Sequence, residues 1–159
     1  MVISGKLVAA LLVAISGYTG YAIPGIPPRI RTLPHGELED RVCGQPCGVI
    51  GFTTPQGEIL LDDSLLVGID PTATSILVHE LTHFMQIRNT SGAVAYNCSA
   101  WREREREAYD VQFHWLRAQA PNMRILSFEM ARLVADPVLP DCPADGGATS
   151  GNALDLPGH

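Results

Sequence analysis

One run of five residues, His79-Glu80-Leu81-Thr82-His83, limits what this chain can fold into more than any other feature. Its neighbours put it inside a helix. Asp70 is placed to cap the first free N–H groups, and Pro71 suits the first helical position. Asn89-Thr90-Ser91-Gly92 is a stop signal, so the helix is expected to run through about Arg88. On that helix positions i and i+4 stack on one face, so both imidazoles reach one point. Glu80 lies about 100° around the axis, beside that point and not on it. Two imidazoles with an acid between them are how a helix offers a cation two ligands and a water molecule a base.

Two histidines leave a metal shell incomplete, since a catalytic zinc usually takes three protein ligands and keeps a fourth position open. The next helix is the nearest source. Ser99 is placed to cap it, Ala100 to about Gln119 form it, and Pro121 ends it. The connection is short enough for the two helices to lie antiparallel. Glu103, Glu107, Asp110 and His114 share one face of this second helix, while Glu105 lies about 200° from Glu103. A charged surface ladder with Arg102, Arg104 and Arg106 is the plainer account of the same residues.

Elsewhere the pattern is that of a small α+β domain. Val49 to Thr53 and Glu58 to Leu61 are β-prone, and Thr54-Pro55-Gln56-Gly57 between them has turn chemistry, so a hairpin is expected. Leu38 to Val42 fits a helical turn or a short strand equally well. A third helix is expected over about Asn122 to Ala135. A stretch rich in proline, residues 23–37, reads as a linker into a domain over 38–142, with a disordered tail over 143–159.

The first 22 residues have the layout of a secretory signal peptide. Lys6 precedes the apolar run Leu7 to Ile15, and Gly20-Tyr21-Ala22 offers small residues before a cut after Ala22. An uncleaved membrane anchor is the alternative, disfavoured by Ser16, Gly17, Thr19 and Gly20 within so short a stretch. Export to a periplasmic or secreted location makes the four cysteines, Cys43, Cys47, Cys98 and Cys142, candidates for two disulfides. Three pairings are open. A local Cys43–Cys47 bridge around Gly44-Gln45-Pro46 is feasible and would leave Cys98 for Cys142, and a structural zinc on all four is the rival. The formal net charge of −6 argues against nucleic acid as a partner and gives no reason for a stable membrane association after cleavage.

The run His79 to His83, followed along the chain by Glu107-Ala108-Tyr109-Asp110, resembles the gluzincin arrangement of zinc metallopeptidases. The wider pattern, His79 to Gln86 and then Glu105 to Gln112 after a β-hairpin, is similar to that of short exported bacterial proteins, and the likeness covers about residues 43–120. The resemblance implies a zincin-like α+β domain, with a hairpin or short sheet packed on the HExxH helix. It also implies Zn2+ held by His79, His83 and Glu107, with Glu80 as general base in peptide hydrolysis. Asp110 follows Glu107 by three residues where thermolysin-like members have four, which puts its supporting role in doubt. Tyr96 and His114 are candidate electrophiles, Glu103 is the other candidate ligand, and Tyr109 is expected in the core. A peptide or protein is the implied substrate, laid along one strand of the hairpin. The rival is a zinc-binding scaffold or binding protein of the same fold without catalysis.

Overall fold

The computed structural model describes residues 3–90 and 98–119. The elements run α1 (Gly5–Thr19), β1 (Ile30–Leu33), α2 (His35–Val42), β2 (Gly51–Thr53), β3 (Ile59–Asp62), α3 (Pro71–Asn89) and α4 (Cys98–Gln119). The fold is α+β, a small mixed sheet carried on helices.

The sheet order is β1-β3-β2. β2 and β3 form the expected antiparallel hairpin, pairing Gly51 with Leu61 and Thr53 with Ile59. Its turn closes by a bond from the Gly57 N–H to the Thr54 carbonyl at 2.8 Å. Gly57 has a φ of +85°, and a Cβ there would meet the Phe84 ring at 3.1 Å, so glycine satisfies both backbone and packing. β1 lies within the stretch read as linker, and it pairs in parallel with β3, Ile30 opposite Ile59. The prolines before it did not prevent a strand because β1 is an edge, where a strand needs only one hydrogen-bonded side. The stretch Leu38 to Val42 is helical, as part of α2.

β3 is central and buried throughout. Alternation splits its side chains between two layers. Ile59 and Leu61 join the main core, while Leu60 joins Leu33, Leu38 and Val49 in a smaller cluster beneath α2. The Cys43–Cys47 disulfide borders that smaller cluster, with Cα atoms 6.5 Å apart. No described cysteine is free; Cys142 lies outside the described residues.

α3 is the axis of the domain, with Leu77, Val78, Leu81, Phe84 and Met85 all buried in the main core. It begins as expected: Asp70 accepts a bond from the Thr72 N–H at 2.8 Å, and Pro71 occupies the first turn. α4 packs along α3 and adds Val111, Trp115 and Leu116. Ser99 lies inside α4 and does not cap it, because the helix already starts at Cys98.

The segment read as a signal peptide is a packed helix of this domain. Val8, Leu11, Leu12 and Ile15 of α1 form a stripe at helical spacing that is buried in the main core. The residues that follow are tied down as well: the Ala22 N–H donates to Asn89 Oδ1 at 2.8 Å, and Asn89 Nδ2 donates back to the Ala22 carbonyl at 3.0 Å. Among the described residues no helix is long and apolar enough to cross a membrane. The expected third helix, the tail and Tyr96 lie outside the described residues.

Candidate metal centre

Helical periodicity builds this centre from two facing helices. His79 and His83 stand one turn apart on the side of α3 that faces α4. Their rings meet edge to face with centroids 4.7 Å apart, and their Nε2 atoms are 3.1 Å apart. Glu105 reaches them from α4. Its Oε2 lies 3.3 Å from His79 Nε2 and its Oε1 3.2 Å from His83 Nε2. Among the described residues these three form a group that could hold a metal ion, and all three side chains are largely shielded from solvent.

Two glutamines set which nitrogen of each imidazole faces the centre. Gln86 Nε2 donates to the Arg104 carbonyl at 3.0 Å and to Glu107 Oε2 at 2.7 Å. That fixes its amide, so Gln86 Oε1 is the atom 2.8 Å from His83 Nδ1, and Nδ1 must carry the proton. Gln112 is fixed in the same way. Ser75 Oγ donates to the Thr72 carbonyl at 2.7 Å and therefore accepts from Gln112 Nε2 at 3.1 Å, which turns Gln112 Oε1 toward His79 Nδ1, also at 3.1 Å. When neutral, both imidazoles thus direct an Nε2 lone pair at the same point. An outer partner on Nδ1 is the usual way in which a metal-binding histidine is oriented and made more basic.

Two lone pairs and a carboxylate crowded together call for positive charge. Burial opposes charge on the His83 ring, but Glu105 beside it, with Glu80 and the Gln86 bond, overcomes that and pushes its pKa up to about 9. Burial likewise works against a Glu105 carboxylate, and the two histidines outweigh it, holding the group well below the ordinary range. Without a metal, a proton on His83 supplies the positive charge; a cation at the focus does so with both imidazoles neutral.

Glu80 is buried next to this group, against the edge strand β2. The Thr53 hydroxyl lies 2.8 Å from Glu80 Oε2 and 2.9 Å from the Glu80 carbonyl. Gly51 leaves room for the other oxygen, since a Cβ at residue 51 would sit 2.9 Å from Oε1. Tyr109, expected in the core, instead sets its half-buried ring against His79, with centroids 4.6 Å apart. Burial, with Glu105 and Glu80 nearby, raises the pKa of its phenol.

The third member of the group corrects the expectation. It is Glu105 and not Glu107. The two lie about 200° apart on α4, so one helix rotation cannot offer both to the same point. Glu107 accepts instead from Gln86 and from the Tyr21 hydroxyl, the latter at 2.8 Å. Glu103, also considered as a ligand, is exposed, and exposed His114 lies against Tyr18 with ring centroids 4.4 Å apart, so neither joins the group. Asp110 is half-buried on α4 and is not one of the three. The missed signal was apolar: Trp101, Ala108 and Trp115 are buried on α4 together with Glu105 and mark the face turned inward. Gln112, two turns beyond Glu105, belongs to that face; the wider sequence pattern includes it without assigning it a role.

No family model, curated protein or solved structure matches this chain.

Proposed function

We propose that this domain is a small zinc-dependent hydrolase that cleaves amide bonds in peptides, with His79, His83 and Glu105 as the protein ligands and Glu80 as the general base. One observation carries the reading. His79 Nε2 and His83 Nε2 stand 3.1 Å apart, and the Glu105 carboxylate straddles them, with Oε2 3.3 Å from the first and Oε1 3.2 Å from the second. Atoms about 2.0–2.1 Å from a zinc ion at tetrahedral angles stand about 3.3–3.4 Å from one another. Two imidazoles and one carboxylate are a donor set found on catalytic zinc, and they leave a fourth position for water or substrate.

Zinc held there supplies a Lewis acid, polarising a carbonyl and bringing the pKa of water down toward about 7. The residues of the chain do the rest. Glu80 takes the proton of the attacking water and passes it to the leaving amine. The Thr53 hydroxyl restrains one oxygen of that carboxylate, and Gly51 keeps the space beside the other clear. β2 is the edge strand next to Glu80, so an extended peptide pairing along it would bring its backbone past the base. The Cys43–Cys47 disulfide is compatible with work in an oxidising compartment.

Metal analysis of the purified protein, with Glu80→Gln beside it, tests both parts. The expected result is about one zinc per chain in both proteins and hydrolysis of a peptide library by the wild type alone, slowed by about 100-fold or more in the variant. Protein that neither contains nor takes up zinc overturns the metal assignment. Zinc-loaded wild type that cleaves nothing in the library leaves the metal-binding scaffold as the better account.

A further inference from the structure

The segment joining α1 to β1 is linked to this centre by side-chain hydrogen bonds. The Tyr21 hydroxyl donates to Glu107 Oε2 at 2.8 Å, and Gln86 Nε2 donates to the same oxygen at 2.7 Å. Gln86 Oε1 in turn accepts the proton of His83 Nδ1 at 2.8 Å. An unbroken hydrogen-bonded line therefore runs from the N-terminal segment to a ligand of the proposed metal.

We propose that Glu107 and Tyr21 are positioning residues of the metal centre, holding His83 in its metal-accepting tautomer through the amide of Gln86. This rests on the metal-binding reading above. The reason lies in what the amide would do without them. A carboxamide can turn over, exchanging oxygen and nitrogen at little steric cost. Turned over, Gln86 would present its NH2 to His83 Nδ1, favour the proton on Nε2, and remove the lone pair that binds metal. The turned amide would also direct its oxygen at two acceptors, the Arg104 carbonyl and Glu107 Oε2. Glu107 thus guards the orientation of Gln86. Tyr21 keeps Glu107 in place, and burial together with the Glu107 contact pushes its phenol up to about 12, so it stays a donor at ordinary pH. The N-terminal segment is then a working part of the site.

The test is zinc affinity of the full-length protein, measured by competition with a chelator. Glu107→Ala is expected to weaken binding by about 10-fold, the lower end of the range for outer partners of a ligand histidine, and Tyr21→Phe by about 3-fold. Glu107→Gln retains an oxygen that can accept from Gln86 and is expected to recover most of the loss. In the zinc-loaded wild type, the His83 Nδ1–H proton should give a sharp low-field NMR signal that disappears in Glu107→Ala. Asn89→Ala breaks the clamp on Ala22 without touching this line, so it should lower the melting temperature and leave affinity unchanged. Wild type that binds zinc, with Glu107→Ala and Tyr21→Phe binding it equally well, overturns the positioning role and leaves the metal site standing. An equal loss in Asn89→Ala also overturns that role, because the effect is then general destabilisation. Wild type that takes up no zinc overturns both.

Discussion

Ile15→Ala is the sharpest probe of whether α1 belongs to the working fold. Ile15 is completely buried among side chains of the main core, while Val13, on the same helix, is 61% exposed. Truncation removes everything beyond Cβ. At about 0.8 kcal/mol per buried carbon the transfer loss alone is about 2.4 kcal/mol. A residual cavity adds to this, and measured losses for such changes span about 2–5 kcal/mol, so about 3 kcal/mol is expected. With a urea dependence of about 2 kcal/mol per molar, the unfolding midpoint should fall by about 1.5 M. Val13→Ala makes a smaller cut at a solvent-facing site and should stay within about 0.5 kcal/mol of wild type. Urea unfolding of the three proteins in zinc-free buffer, followed by tryptophan fluorescence, measures both effects. Trp115 shares the core cluster with Ile15, so the probe reports on the region perturbed. An Ile15→Ala midpoint equal to that of wild type would mean that α1 is not packed in the folded protein. The packing reasoning would then fail, and the segment would be better described as the leader its composition suggests.

Further outcomes follow from the centre itself. Glu105→Gln should lose zinc binding by well over the about 10–100-fold expected for an outer partner, because it removes a ligand, and chelator competition measures it. Gln112→Leu leaves the three ligands intact but frees His79 Nδ1, so zinc affinity should drop by about 10–100-fold with little change in secondary structure by circular dichroism. The metal-free protein should lose stability as pH rises. His83 is raised from 6.5 to about 9 in the fold, so its contribution is complete below 6.5 and is lost as pH passes through about 9. Thermal melts in chelator across that range check this, and zinc should flatten the profile by replacing the proton.

Much of this centre could be read from the amino-acid order because its information is local. The capping pair Asp70-Pro71 and the i, i+4 histidines act within one helix, and the hairpin turn acts within a few residues. The third member of the group was harder to read for a physical reason. Glu105 and Glu107 are chemically identical and two positions apart, and choosing between them requires knowing which side of α4 is buried. Trp101, Ala108 and Trp115 mark that side, but their burial exists only once α4 is packed in the fold. α1 posed a similar problem. A lysine, a short apolar run and small residues describe both an export signal and a helix whose stripe of Val8, Leu11, Leu12 and Ile15 inserts into a core. β1 was invisible because its partner, β3, lies far along the chain and nothing local marks a four-residue parallel edge.

The absence of a side chain at Gly51 has an evolutionary reading. Because even a methyl group there would press on Glu80 Oε1, position 51 is a single codon at which a lineage could displace the proposed base and keep the proposed metal ligands. Divergent chains of this fold could then be sorted by eye. Those retaining glycine opposite the acid would be the ones to screen for turnover, and those with a larger residue there would be the ones to screen for binding partners.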